Sequence, residues 1–318
     1  MKYIPVIGLE IHAELLTKSK VFCGCQNEFG GGANERVCPR CSGMPGTLPI
    51  LNQSVVAQAV RAGFALNCDI NEYSAFDRKN YFYPDLPKAY QITQFFHPIC
   101  TNGYIALKDT KIRINRIHIE EDAGKLVHDE YEGISMADYN RCGVPLIEIV
   151  TEPDFRTIEE VQSFVSDIAL RLKYAGVCDA KLEQGSLRVD VNISLMPYGS
   201  DVFGTRAEIK NLNSIKAIGR AIAYEIERQS EILDQGGKVV QETRRFNDNH
   251  GDTKALRSKE EAHDYRYFPE PDIPPVFLSR ETISEIQKSM PMMPGERMEE
   301  YTEKFELPQE DAELIIAD

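Results

Sequence analysis

The chain has 318 residues, 42% of them hydrophobic, and a formal net charge of −14. That length suits one large domain or two, with a substantial core; no apolar run is long enough to cross a bilayer and the start is too briefly apolar for a signal peptide, so the sequence reads as soluble and cytosolic, with no membrane role. The charge is uneven, residues 281–318 holding 3 Lys and Arg against 11 Asp and Glu, and an acidic total argues against broad, non-specific nucleic-acid binding while allowing a local basic patch.

Residues 3–16 alternate, with Leu9, Ile11, Ala13 and Leu15 on one face of a predicted strand and Glu10, His12 and Glu14 on the other. Side chains two apart point the same way, so Glu10 and His12 can serve one ion, or form the wet face of an antiparallel strand. Two cysteine pairs follow, Cys23-Gly-Cys25 and Cys38-Pro-Arg-Cys41, twelve residues apart across a polar, Gly-rich loop. Four thiolates close the tetrahedral sphere of a zinc ion, which makes the predicted site structural rather than catalytic. Cys68, Cys100, Cys142 and Cys178 are scattered singly and read as buried thiols, not as a disulfide framework.

A helix is predicted over 54–67, capped by Ser54. Residues 77–95 carry two prolines, clustered aromatics (Tyr81, Phe82, Tyr83, Tyr90) and interleaved charges (Asp77, Arg78, Lys79, Asp85, Lys88). They read as an ordered loop, either simply anchored by its aromatics or offering flat faces for a base and cations for phosphate. Asn102-Gly103 predicts a hairpin turn before a strand over 112–119. Alternation there puts Arg116, His118 and Glu120 on one face and Ile117, Ile119 and Glu121 on the other, so either glutamate is a candidate ligand but not both without a bulge. Glu148 sits inside Pro-Leu-Ile-Glu-Ile-Val, a run that should be buried. A buried carboxylate needs a cation or a donor, so acids on neighbouring strands point to a metal or phosphate–metal site, with a salt-bridged structural acid as the plainer alternative.

Residues 157–175 form a predicted helix with a Thr157/Glu160 capping box, ended by Gly176. Residues 187–195 are the clearest strand, with Arg188, Asp190, Asn192 and Ser194 sharing its polar face. The next strand repeats the habit with Arg206, Glu208 and Lys210, and together such strands can floor an anion–metal cleft. A further helix spans 214–233, stopped by Gly236-Gly237. Residues 241–275, with Pro269, Pro271, Pro274 and Pro275, read as a rigid, mostly irregular crossing. The last stretch starts a helix whose Leu314, Ile315 and Ile316 find nothing downstream, which predicts that the chain is a fragment. There is no G-x-x-x-x-G-K-[ST], G-x-G-x-x-G or G-x-S-x-G, so a bound nucleotide would lie on a sheet with metals and not on a P-loop.

These motifs, VIGLEIHAELLTKSKVFCGC, VCPRCSGMPGTLP, FDRKNYFYPDLPKAYQITQ, RIHIEEDAGK, YNRCGVPLIEIVTEPD, EQGSLRVDVNIS, EIKNLNS, QETRRF and DYRYFPEPDIPP, resemble the B subunit family of the tRNA-dependent glutamyl/aspartyl-tRNA amidotransferases over essentially the whole chain. The resemblance implies an α+β fold: a glutamine-synthetase/guanido-kinase-like catalytic cradle on mostly antiparallel sheet, spanning 1–295, with a zinc knuckle inserted at 22–42 and a helical domain beginning at 296–318. It implies an ATP- and Mg2+-dependent ligase subunit. That subunit phosphorylates the side-chain carboxylate of Glu on tRNA(Gln) or Asp on tRNA(Asn), and ammonia from a glutaminase A subunit, assembled with a small C subunit, displaces the phosphate. By the same resemblance Glu10, His12, Glu121 (or Glu120) and Glu148 hold Mg2+, with Asp190, Glu208 and Lys210 in the same cleft. Cys23, Cys25, Cys38 and Cys41 hold Zn2+, and Tyr81, Tyr83 and Lys88 contact the acceptor end of the misacylated tRNA. The competing expectations are a non-catalytic zinc-stapled scaffold for tRNA or a partner, and a tRNA-independent carboxylate–amine ligase.

Overall fold

The computed structural model describes residues 2–129, 131–258 and 264–317. In chain order it contains β1 (Tyr3–Glu14), α1 (Gln53–Ala65), β2 (Asp69–Ile70), β3 (Tyr73–Asn80), β4 (Tyr90–His97), β5 (Cys100–Ala106), β6 (Lys111–Glu121), β7 (Lys125–Asp129), β8 (Ile134–Asp138), β9 (Pro145–Thr151), α2 (Ile158–Tyr174), β10 (Leu187–Pro197), β11 (Ala207–Leu212), α3 (Ile215–Asp234), β12 (Glu242–Asn247), β13 (Asp252–Ser258), β14 (Phe268–Pro269), β15 (Val276–Phe277), α4 (Arg280–Lys288), α5 (Pro294–Glu299) and α6 (Gln309–Ala317). Nine strands form one sheet in the order β13-β12-β11-β10-β1-β9-β6-β5-β2. Every neighbouring pair in it is antiparallel except β11 and β12. This is an α+β fold.

The alternation read from the sequence sets what each face does. Ile7, Leu9, Ile11 and Ala13 of β1, Ile147 and Ile149 of β9, and Leu187, Val189, Val191 and Ile193 of β10 are buried together under α1, α2 and α3. Because side chains alternate, the intervening residues are forced onto the opposite face, which carries the polar groups. α2 starts with the predicted capping box, Thr157 Oγ1 accepting from the Glu160 N–H at 3.2 Å and the Glu160 side chain accepting from the Thr157 N–H at 3.1 Å.

Several elements differ from expectation for local reasons. α1 is capped by Asn52, whose side chain accepts from the Ser54 N–H, and not by Ser54. Asn102-Gly103 makes no hairpin turn: Asn102 takes a left-handed φ of 55° inside β5, and the turn into β6 lies at Leu107–Thr110. Residues 77–95 are not one loop, since β3 and β4 pair across a turn at 81–89. The predicted crossing at 241–275 contains the β12–β13 hairpin and the short strand β14, which pairs with β3 as β15 does just after it; its residues 259–263 lie outside the described residues. The polar side chains that hid these strands from a hydrophobic pattern find partners in the fold. Arg78 makes a two-point contact with Glu270 (2.7 and 3.0 Å) and reaches Asp272 at 3.0 Å, and Asp77 accepts from the Phe95 and Phe96 N–H groups. α5 packs on α6 and on α2, with Ala312 and Ile316 of α6 buried and the Tyr174 hydroxyl donating to the Ile316 carbonyl at 3.0 Å. Among the described residues no helix is long and apolar enough to cross a membrane.

α3 is fastened to the outer strands by one fully buried acid. Glu225 accepts from Arg228 (2.9 and 2.8 Å), Gln229 (3.1 Å) and Thr253 (2.6 Å) and lies 3.0 Å from Arg244. Burial pushes its carboxyl up, but these donors outweigh burial and hold it below the usual carboxylate range. Removing one member of a buried charge network leaves the others uncompensated. Glu225→Ala is therefore expected to lower the unfolding free energy by about 3–5 kcal/mol in a denaturant titration. Thr157→Ala, which removes only the α2 cap, is expected to lower it by about 1 kcal/mol. A Glu225→Ala loss no larger than the cap's would contradict this account of the network.

Candidate functional site

The sheet register assembles the site. His12 of β1 stands opposite Glu148 of β9, Glu148 stands opposite His118 of β6, and Glu10 stands opposite Asp190 of β10. Asn192 of β10 stands opposite Glu208 of β11. The polar face is thereby a continuous row from β6 to β11, and it floors a cleft of about 300 Å³. β4 stands against β6 as one wall: the Gln94 side-chain oxygen accepts from the Ile119 N–H at 3.0 Å. Lys79 of β3 and Tyr265 and Tyr267 also line the cleft.

Two groups of candidate metal ligands meet there. The ligand atoms of His12, Glu120 and Glu148 lie within 4.8 Å of one another, and so do those of Glu10, Asp190 and Glu208. The groups are neighbours because Glu10 and His12 are two apart on one strand face. In the first, His12 Nε2 is 3.4 Å from Glu120 and 3.6 Å from Glu148, and His118 Nε2 is 3.2 Å from Glu148 and 3.8 Å from Glu120. In the second, the Lys210 ammonium lies 2.6 Å from Asp190 and 2.8 Å from Glu208, Thr243 donates to Glu208 at 2.8 Å, and Asn192 donates to Glu10 at 3.0 Å.

The electrostatics follow from this crowding. Burial, then the Glu148 and Glu208 charges, push the Glu10 carboxyl up. Burial also acts to raise Glu148, but the His118, His12 and Lys79 charges outweigh it and hold Glu148 well below the usual carboxylate range. Burial disfavours a charged His118, yet Glu148 and Glu120 overcome it and push the imidazole up to about 9. Lys79 and Lys210 are likewise held charged against burial, Lys79 chiefly by Glu120 and Lys210 by Asp190 and Glu208. Carboxylate oxygens with one imidazole per cluster at most suit a hard divalent cation. Buried Arg116 Nε and Gln94 Nε2 have no protein acceptor among the described residues, and both side chains line the cleft, as donors for an anion would.

The expectation that Glu121 joins Glu10, His12 and Glu148 is corrected. β6 is bulged between Ile114 and Arg116, upstream of both glutamates, so regular alternation beyond it sends Glu120 to the cleft and Glu121 to the other face. There the Glu121 carboxylate pairs with Lys88 and accepts from the Ile92 N–H at 3.0 Å. Lys88 is correspondingly engaged with Glu121 and lines a different cavity, beside Cys23 and Cys41. Tyr81 and Tyr83 stack on each other with ring centres 5.9 Å apart, and Tyr81 meets Tyr265 edge-on at 6.3 Å; they border the cleft's aromatic wall but do not line the cleft. The sequence pattern does not mark Gln94, Tyr265 and Tyr267 as site residues, whereas Lys79 is visible in it as a cation among aromatics.

The four cysteines gather as expected. Their Sγ atoms all lie within 4.8 Å of one another, and Cys38 and Cys41 Sγ are 3.9 Å apart. Sulfurs about 2.3 Å from a tetrahedral zinc stand at comparable separations, so the set fits such an ion. Hydrogen bonds from Cys23 and the Cys38 N–H, with the Lys20 charge, hold the Cys41 thiol well below its ordinary value in spite of burial. The cluster is distinct from the carboxylate cleft, and its cavity is shared with Glu121 and Lys88.

The fold and site together define an α+β protein that gathers cation ligands and basic side chains on an open sheet face. The sequence model of the GatB/GatE catalytic domain matches residues 5–284, and the chain belongs to that family. It is 61% identical over 320 residues to the B subunit of the aspartyl/glutamyl-tRNA(Asn/Gln) amidotransferase of Ruminiclostridium cellulolyticum, covering 99% of this chain and 66% of that protein. The proteins of the same name from Caldicellulosiruptor saccharolyticus and Thermodesulfovibrio yellowstonii are 57% and 53% identical, with 100% and 99% of this chain and 67% of each relative covered. The chain thus spans about two thirds of the length of these curated relatives.

The raised His118 gives a pH prediction. A group with a raised folded pKa stabilises the fold fully below its unfolded value and loses that contribution as pH rises through the folded value. Without added divalent cation, the unfolding midpoint is therefore expected to fall as pH rises from 6.5 through about 9. In Glu148→Gln the His118 titration, followed by NMR, is expected to move down toward 6.5. An unmoved titration would mean that Glu148 does not hold the His118 proton.

Proposed function

We propose that this chain is the phosphorylating part of a tRNA-dependent amidotransferase. It transfers the terminal phosphoryl group of ATP to the side-chain carboxylate of Glu on tRNA(Gln) or Asp on tRNA(Asn), and ammonia then displaces phosphate from the acyl phosphate to leave the amide. The observation that carries this reading is the pair of neighbouring ligand groups, His12/Glu120/Glu148 and Glu10/Asp190/Glu208, on one face of the sheet. Family membership and the names of the relatives support the substrate class.

Joining two anions, a polyphosphate and a carboxylate, requires positive charge and fixed geometry rather than covalent help from the protein. Glu10, His12, Glu120, Glu148, Asp190 and Glu208 are the residues that would hold Mg2+, which supplies charge neutralisation of the phosphate oxygens. Lys79, Lys210 and Arg116 add fixed cations around the same cleft. A second cavity of about 390 Å³ continues from Glu10 along Gly8, Val6, Val150, Thr205 and Gln241, and its mixed apolar and hydrogen-bonding lining fits a nucleoside. The open antiparallel sheet, with helices on one face and the cleft on the other, supports a glutamine-synthetase/guanido-kinase-like cradle. The four cysteines hold zinc as a structural staple. A glutaminase A subunit and a small C subunit supply the ammonia and complete the assembly.

The test uses the enzyme assembled with those two subunits, glutamine, Mg2+ and γ-labelled ATP, with and without Glu-tRNA(Gln). ATP cleavage is expected to require the charged tRNA and to fall by about 10²- to 10³-fold in Glu148→Gln. Glu121→Gln, altered on the other face of β6, is expected to retain tRNA-dependent ATP cleavage. Normal cleavage in a folded Glu148→Gln enzyme would move the metal cleft elsewhere and leave a scaffold role for this face. Amidation without tRNA would point instead to a small-molecule ligase.

A further inference from the structure

Lys20 has no exposed surface, yet it carries an ammonium group. Such a group is costly to bury without compensating partners. Its Nζ finds three: the Arg36 carbonyl at 2.7 Å, the Tyr139 carbonyl at 3.5 Å and Cys41 Sγ at 3.7 Å. Three acceptors match the three protons of an ammonium. Only the thiolate among them brings negative charge. Glu121, which lies across Gly143 from the Lys20 stem, is paired with Lys88 instead.

The backbone makes this placement specific. The Lys20 N–H donates to the Cys25 carbonyl at 3.0 Å, so the residue is fixed to the loop of the first cysteine pair. Its side chain then crosses to the second pair at Cys41 and to the segment after β8 at Tyr139. That segment is tied to the cysteine loop by Arg36 N–H to Asn140 at 2.8 Å and by Asn140 to the Gly32 carbonyl at 2.7 Å. Cys41 Sγ also accepts from the Cys38 N–H at 3.2 Å. Four thiolates around a divalent ion leave two negative charges in a half-buried place, and one ammonium on the thiolate halves that excess.

We propose that Lys20 is the outer-sphere cation of the four-cysteine centre. Its ammonium donates to the Cys41 thiolate and offsets the centre's charge, so the metal is held more tightly than four thiolates alone would hold it. The proposal rests on the reading that the four cysteines hold a metal. Partners of this kind change metal affinity by about 10- to 100-fold.

Cobalt(II), added to metal-stripped protein, is the probe, with its thiolate-to-metal absorption band and competition against a chelator as readouts. Wild-type protein is expected to develop the band. Lys20→Met is expected to bind cobalt about 10- to 100-fold more weakly, with the band shifted, and to lose more thermal stability in the metal-loaded than in the stripped state. Lys20→Gln keeps N–H donors for the two carbonyls but no charge, and is expected to show the same loss; it also serves if Lys20→Met does not fold. Wild-type affinity in either folded variant would overturn the proposal. So would an equal loss of stability with and without metal, which would make Lys20 a packing residue only. If the wild-type protein itself develops no band, the metal reading of the cysteines fails first, and that result is distinct from a wild-type band with unweakened variants.

Discussion

Everything at the cleft depends on one constraint: β1 has two faces and both are fully used. Its odd-numbered residues from Ile7 to Ala13 fill the core under the helices, and any slip of register by one residue would drive Glu10 and His12 into that core. The apolar face therefore locks the polar face in place. Because β9 and β10 flank β1 in fixed register, acids from three strands converge without any loop having to position them. Rigid strands place side chains more tightly than loops do, which keeps the two ligand groups side by side on one face.

The same crowding explains the charge pattern. Carboxylates this close repel one another, and the face is tolerable because cations are interleaved with them: His118 between Glu120 and Glu148, Lys210 between Asp190 and Glu208. Glu148 is held ionised and His118 protonated by each other, while Glu10, lacking so close a cation, is pushed up. A divalent ion at either group would take over work that imidazolium and ammonium do here. Proton release and cation binding are thus linked at this face.

What can be read in the sequence follows how regular the alternation is. β1 and β10 alternate cleanly, so the pattern alone places Glu10, His12 and Asp190 on their faces, and the same rule puts Arg116, His118 and Glu120 on one face of β6, whereas Glu148 stands out only as an acid inside an apolar run. Parity separates Glu120 from Glu121 but does not say which face meets the cleft, and the resemblance leaves the two adjacent acids open; only the register of β6 against β9 puts Glu120 there. β3, β4, β12 and β13 are hidden because charged and aromatic residues interrupt their apolar pattern and are offset by contacts made only in the fold: Arg78 meets Glu270, and buried Arg244 meets Thr253 and Glu225. Tyr265 and Tyr267 escape notice as cleft residues for the same reason, since the Pro-rich segment that carries them reaches the cleft only by pairing with β3.

Glu120 and Glu121 show how finely this fold separates two chemistries. One step along β6 sends one carboxylate to a cleft of oxygen and imidazole donors and the next to a cavity beside thiolates. Oxygen-rich sets favour hard cations such as Mg2+, and thiolate sets favour zinc. If Glu121 were free beside the cysteines it would add negative charge to an already anionic place. Lys88 neutralises it, the Ile92 N–H fixes it, and Lys20 sits on the thiolate side of the same cavity wall. Lys88 on the carboxylate and Lys20 on Cys41 thus balance negative charge on the two sides of that cavity.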